Sequence, residues 1–185
     1  MVLVSMLRGV NLGPHHRIKM TDLKALYESL GFTGVETLIQ SGNVVFRTPE
    51  RSADRVAARI ESGIEERFGF RAPAVVRTAA ELRSVVERNP FAGRDGIEPS
   101  KLAVNFLARA LDAAAQVRLR ALPEAPEEVV LAGRELYIYF PNGMARPKLS
   151  AAQLDRVVGV AMTARNWNTV GKLLEMAERL ERAGK

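Results

Sequence analysis

The sequence predicts an α+β fold of tandem ferredoxin-like subdomains with an additional C-terminal helix, and three observations carry that reading. Residues 2–77 run strand, helix, strand, strand, helix, strand, the βαββαβ order of a split βαβ module. The same order starts again at Leu102. Beyond it, Val170, Leu173, Leu174, Ala177 and Leu180 set an apolar stripe at helical spacing, which predicts a final helix docked on the body of the protein.

Each element follows from its pattern. Val2–Leu7 is apolar except at Ser5 and has the length of a buried strand. Over Met20–Leu30 a stripe of Leu23, Leu26, Tyr27 and Leu30 predicts a helix, with Thr21 as its N-cap and Gly31 as its stop. Val35–Gln40 and Asn43–Arg47 read as strands that Ser41-Gly42 closes into a hairpin. Ser52 caps a second helix whose Val56, Ile60, Ile64 and Phe68 recur every four residues, and Ala74–Arg77 is the next strand. Thr78 then caps a helix over Ala79–Arg88.

The stretch 89–100, with two Pro and two Gly, is the expected linker between a first module over 1–88 and a second over 101–185. The second module reads as strand Leu102–Leu107, helix Asp112–Leu122, strands Glu128–Leu131 and Glu135–Phe140 around Ala132-Gly133-Arg134, and a helix Ser150–Val158. From there the pattern is less regular. Val160–Ala164 has no clear type, Thr169–Arg182 is the final helix, and Ala183–Lys185 is expected to fray.

Hydrophobic residues at 47% and charged residues at 26% are the balance of an ordinary folded chain. With no cysteine there is no disulfide, thiolate nucleophile or Cys-ligated metal. No run approaches 18 apolar residues and Met1–Leu7 is too short for a secretory signal, so a cytoplasmic location without a membrane partner is expected. A net charge of +6 raises nucleic acid as a partner. Against that, 21 of the 27 basic residues are Arg, as GC-rich codons would impose, and between Glu50 and Arg71 they alternate with acids as on a solvated helix.

Chemistry can sit in four loops. The first, residues 7–19, places Arg8, Gly9, Asn11, Gly13, Arg17 and Lys19 between a buried strand and a helix. Glycine-freed amides, a helix start and cations suit a phosphate, although the same glycines also serve plain turn geometry. No P-loop or dinucleotide fingerprint is present. The only histidines, His15 and His16, are adjacent and lack companion ligands, so no metal and no cofactor is expected. In the second loop Ser41 and Asn43 can present a hydroxyl and an amide, or simply form the hairpin turn. The third, residues 163–172, holds Arg165, Asn166, Trp167 and Lys172 before the final helix. It reads either as an anion site with Trp167 stacked on a ring, or as an N-cap with Trp167 packed between modules. The fourth, residues 142–150, carries Arg146 and Lys148 before a cap at Ser150.

Three stretches, Leu-Arg-Gly-Val-Asn-Leu-Gly at 7–13, Gln-Ser-Gly-Asn-Val-Val-Phe at 40–46 and Thr-Ala-Arg-Asn-Trp-Asn-Thr at 163–169, closely resemble the ordered motifs of a bacterial domain-of-unknown-function family. That resemblance implies two tandem βαββαβ units and supplies no reaction, cofactor or site. Two departures stand out: Pro14-His15-His16 replaces the family's Gly-Lys-Asn, and Arg146-Pro147-Lys148 stands where it has Arg-Ser-Lys.

The expectation from sequence is a protein that binds a phosphorylated or otherwise anionic small ligand through Arg8, Asn11, Ser41, Asn43, Arg165, Asn166, Trp167 and Lys172. Its alternatives are nonspecific binding of single-stranded nucleic acid, an enzyme acting on a phosphorylated metabolite, and a structural or dimerising role. No Asp or Glu sits inside the three motif stretches as an obvious base.

Overall fold

Two four-stranded antiparallel sheets with the same strand order organise the chain. The computed structural model describes residues 1–184. The first sheet is built from β1 (Val2–Leu7), β2 (Thr33–Leu38), β3 (Asn43–Arg47) and β4 (Ala74–Thr78), with α1 (Met20–Ser29) between β1 and β2 and α2 (Ala53–Phe68) between β3 and β4. Its order, β2-β3-β1-β4, is that of the ferredoxin-like fold. A helix, α3 (Ala79–Glu87), trails β4.

Every element then recurs. The second set is β5 (Leu102–Leu107), α4 (Ala113–Arg120), β6 (Glu128–Ala132), β7 (Glu135–Tyr139), α5 (Ala151–Val158), β8 (Met162–Asn166) and α6 (Trp167–Arg182). Its sheet runs β6-β7-β5-β8. The registers correspond as well: Val4 faces Arg77 as Val104 faces Arg165, and Leu3 faces Thr78 as Ala103 faces Asn166.

The stretch 160–164, without a clear type in the sequence, thus lies mostly in β8, the strand that completes the second module. Its pattern is disguised because Thr163 and Arg165 point to a buried face, so inward positions that normally carry apolar residues are polar. The final helix correspondingly starts at Trp167, two residues before the expected Thr169.

By internal contacts the chain divides into Met1–Ser84 with the chain from Gly171 onward, and Val85–Val170. The expected boundaries at 88 and 101 do not coincide with this division. Two sets of contacts explain the difference. In the first unit Arg83 binds Glu178 at 2.8 Å, Arg179 binds Glu36, Arg47 donates to the Leu180 carbonyl, and Leu180 packs where a Cβ on Gly34 would lie. In the second, the stretch expected as a linker is tied to the sheet: Phe91 is buried 5.9 Å from the Tyr139 ring, whose hydroxyl donates to the Gly96 carbonyl at 3.0 Å. Of the tail expected to fray, Lys185 lies outside the described residues. The Ala183 and Gly184 amides donate to the Arg179 and Glu181 carbonyls at 3.1 and 3.3 Å.

The first core gathers one face of the first sheet, with Leu3, Leu7, Val44, Phe46 and Val76, against Leu23, Leu26 and Tyr27 of α1 and Val56, Ile60 and Ile64 of α2. Tyr27, Phe32 and Phe46 form an aromatic group with ring centroids 4.6 to 5.8 Å apart. Within it the Tyr27 hydroxyl meets Ser5 Oγ at 2.8 Å, both groups being fully buried. Burial holds the Tyr27 phenol above its usual pKa. The second core repeats the plan with Leu107, Leu136, Ile138 and Met162 against Ala115, Leu154 and Val158.

Tyr27→Phe is predicted to leave the Ser5 hydroxyl without this partner and to lower stability by about 1–2 kcal/mol in urea denaturation, with unchanged slope. An unchanged midpoint would show that the pair contributes nothing net.

Candidate functional site

At one end of the first sheet, the loop from β1 to α1 and the turn from β2 to β3 are pinned together by one side chain. Asn11 Nδ2 donates to the carbonyls of Ile18 at 2.9 Å and Gln40 at 2.7 Å, while Asn11 Oδ1 accepts from the Ile18 amide at 2.9 Å. Asn11 holds a left-handed backbone with φ 59°, a region that Asn tolerates better than most residues. Only two other non-glycine residues have positive φ among the described residues, His16 at 56° and Ile39 at 48°, and both lie in these same two segments. Ile39 is β-branched, so its conformation is strained, and such strain gathers at functional sites.

The turn itself is tightly built. Asn43 is buried and its Nδ2 donates to Ser41 Oγ at 2.9 Å and to the Leu38 carbonyl at 3.1 Å. Gly42 has φ 73°, and a Cβ there would stand 2.9 Å from Leu7 Cβ, so a side chain is excluded on both counts.

These segments border a cleft of about 520 Å³. Asn11, Arg17, Ile18 and Lys19 line it from the loop, Asp22 from the first turn of α1, Gln40 from the hairpin turn and Phe68 from the end of α2. The expected cap at Thr21 is not observed: α1 begins at Met20, and Lys19 in the N-cap position makes no side-chain capping bond. A helix start whose first amides no side chain holds, with two cations beside it, is an electropositive end. Arg17 is exposed and fixed by a bond from Nε to the Gly13 carbonyl at 3.2 Å. Beyond the cleft wall His16 stacks on Phe70 at 4.4 Å, and the Arg67 guanidinium lies 5.9 Å from the Phe68 ring centroid.

The eight expected site residues separate into groups. Asn11 lines the cleft, while Ser41 and Asn43 shape the turn beside it, and Arg8 is half-buried, its amide donating to the Pro73 carbonyl at 2.9 Å. The segment expected as a third loop is instead strand β8 running directly into α6. There Arg165 is buried, and its Nη1 donates to Thr163 Oγ1 and to the Ala164 carbonyl, each at 2.7 Å. Burial lowers its guanidinium to about 10, so it remains a cation at neutral pH. Asn166 Oδ1 accepts from the Asn168 amide at 2.9 Å as the cap of α6, and its Nδ2 donates to the Ser100 carbonyl at 2.9 Å. Trp167 is half-buried with its ring 6.5 Å from that of Tyr137, and Lys172 is exposed on the part of α6 that belongs to the first unit.

Arg165 has a counterpart. Arg77 occupies the same register in the first sheet, is 1% exposed, and donates from Nη1 to the Val76 carbonyl at 3.0 Å, the same bond to the preceding residue. Each arginine is followed by a helix cap, Thr78 with Glu81 in a reciprocal box and Asn166 alone. The arginine therefore belongs to the repeated architecture.

The family model described as Protein of unknown function (DUF1697) matches residues 1–137. The chain belongs to that family. The matched span contains every residue that lines the cleft. A solved structure, the conserved bacterial protein SP0830 from Streptococcus pneumoniae, is similar over 95% of this chain and 98% of that chain, with a TM-score of 0.71 and 19% identity. At that identity the likeness shows the fold alone. No curated protein matches. Among the described residues no group of three or more His, Asp or Glu is arranged to hold a metal, and no helix is long and apolar enough to cross a membrane.

Arg17, Lys19 and Gln40 line the cleft without being among the eight expected residues: Arg17 and Lys19 belong to the first loop, and Gln40 ends a run expected as strand that in fact stops at Leu38. The available signal was the absence of Ser, Thr, Asp or Asn directly before the helix at Met20.

Arg165→Ala is predicted to cost about 2–4 kcal/mol in urea denaturation, because it strips donors from buried acceptors, whereas Lys172→Ala changes stability by less than about 0.5 kcal/mol. Equal small effects would mean that Arg165 acts as a surface cation.

Tyr137 supplies a pH test. Its hydroxyl donates to the Val85 carbonyl at 2.7 Å, and burial, reinforced by Glu135, raises its pKa from 10.0 to about 12. The folded state holds this proton more tightly than the unfolded chain does. Its stabilisation is therefore complete below pH 10 and lost as pH rises toward 12. Tyr137→Phe is predicted to flatten the alkaline decline of stability in that window; an identical decline in the variant would assign it to other groups.

Proposed function

We propose that the first unit binds a phosphorylated or otherwise anionic small ligand in the cleft beside α1. The observation that carries this reading is the meeting of Arg17, Lys19 and the uncapped start of α1 on one cleft of about 520 Å³. Backbone amides at a helix start and adjacent cations are the usual partners of phosphate and carboxylate groups. The volume lies within the 300–1,000 Å³ or so typical of small-molecule sites. Asp22 opposes the cations in part, yet in the first turn it also favours the helix dipole, so the positive end persists with one net cation among the lining side chains.

The segments around the cleft are also held in place before any ligand arrives. Asn11 fixes the loop and the turn to each other, and Asn43 fixes the turn internally. A preformed site lowers the ordering cost of binding.

Base stacking on the sheets, as RNA-recognition modules use it, has little support. Phe46, Phe106, Tyr137 and Tyr139 on the strands are all buried. The single-stranded nucleic-acid reading then rests on net charge alone.

The test is calorimetric titration of the full chain with inorganic phosphate and sugar phosphates, then with the Arg17→Ala/Lys19→Ala variant. Both side chains are exposed, so the variant is expected to keep its melting temperature and to bind at least about tenfold more weakly, as loss of two charge-assisted contacts implies. Unchanged affinity would remove the cleft from consideration. A response to a single-stranded oligonucleotide only, lost steeply with salt, would favour nonspecific polyanion binding.

A further inference from the structure

We infer that the ligand of this cleft is a nucleoside monophosphate or a close analogue, an anionic group joined through a hydroxylated linker to a planar aromatic body. This rests on the anion-binding reading above and adds the class of molecule to it.

The first argument is volume. A phosphate held at Arg17, Lys19 and the α1 start would fill only a small part of about 520 Å³, so the remaining lining must face the rest of the ligand.

That remaining lining is mixed. Ile18 and Phe68 are its apolar members, Ile18 buried and Phe68 half-buried, while Asp22 brings a carboxylate and Gln40 an exposed side-chain amide. Two exposed apolar residues adjoin this lining in sequence. Leu12 is 82% exposed and Ile39 is 55% exposed, two of the four large hydrophobic residues most open to solvent among the described residues. Each is next in sequence to a lining residue, Leu12 to Asn11 and Ile39 to Gln40. Scattered exposed apolar residues need no explanation, but two that adjoin the lining of one cleft in sequence are in reach to supply contact area for a ligand body. Ile39 also holds a strained backbone, and strain of that kind persists where surrounding structure enforces it, at active sites, ligand clamps and switch regions.

The polar groups separate the classes of body. An acyl or alkyl phosphate would use Ile18, Phe68, Leu12 and Ile39 but would bury Asp22 and Gln40 against hydrocarbon, leaving both without hydrogen bonds. A sugar phosphate would satisfy Asp22 and Gln40 and leave the apolar lining at Phe68 wet. A nucleotide matches all three: its phosphate takes the cationic end, its ribose hydroxyls donate to the Asp22 carboxylate, and its base lies against Phe68 with an edge open to the Gln40 amide, which both donates and accepts.

Calorimetry on the full chain with three probes tests this: inorganic phosphate, ribose 5-phosphate and AMP. AMP is expected to bind at least tenfold more tightly than ribose 5-phosphate, which in turn exceeds phosphate. Phe68→Leu should reduce the advantage of AMP to about threefold or less. Because Phe68 also packs on the first core, a second variant guards against a folding defect. Gln40→Ala changes an exposed side chain and leaves intact the Gln40 carbonyl that Asn11 binds, and it should weaken AMP severalfold without changing ribose 5-phosphate. Equal affinity for AMP and ribose 5-phosphate would overturn the nucleotide class while leaving the anion site standing. An AMP preference untouched by both variants would place the base elsewhere and overturn it too. No binding of any probe would overturn this inference together with the reading it rests on.

Discussion

Burial of the central strands β1 and β5 along their whole length is the constraint on which this protein depends. All six residues of each strand are shielded, so each sheet carries side chains inward on both faces and its backbone must be satisfied by the ladders on either side. Buried polar residues of these sheets find companions, Ser5 on β1 with Tyr27, and Arg77 on β4 and Arg165 on β8 with their preceding carbonyls. Neither central strand is free to meet a ligand. Chemistry is therefore displaced to the loops where strands end, and the fold acts as the rigid frame that positions them.

Of those loops, the pair joined by Asn11 differs from the rest in how much conformation it holds away from the ordinary. Three positive-φ side chains, a glycine turn pressed on Leu7 and an uncapped helix start occur within two short segments. Left-handed backbone costs on the order of 1–2 kcal/mol for a residue with a Cβ. The three bonds of Asn11 and the two of Asn43 are of a size to offset it. The outcome is a small concavity lined by both cations and hydrocarbon, between segments held in place.

Much of this fold was legible because its cores obey simple periods. The four-residue spacing of Val56, Ile60 and Ile64 marked α2, and the turns Ser41-Gly42 and Ala132-Gly133-Arg134 between strand-like runs marked the hairpins. What escaped was governed by side chains that contradict their usual setting. Thr163 and Arg165 face inward on β8, so a strand read as a loop and a structural arginine read as a ligand contact. The duplication, read in the sequence from element order, extends to single positions once Arg77 and Arg165 fall on one register. At the cleft, Asn11 was singled out for its chemistry, but its bonds across a 29-residue separation to Gln40 arise only in three dimensions. Arg17 and Lys19 stood in a loop whose cations and helix start suited a phosphate, but only the cleft they line separates them from the other loop cations.

The most direct test of the cleft is amide chemical-shift mapping on isotope-labelled full-length protein titrated with AMP. Saturable shifts of the Met20 and Thr21 amides, with Gln40 and the Asn11 side-chain amide following the same curve, are what the account predicts. Shifts confined to residues 163–172, or a spectrum unmoved at millimolar ligand, would contradict it.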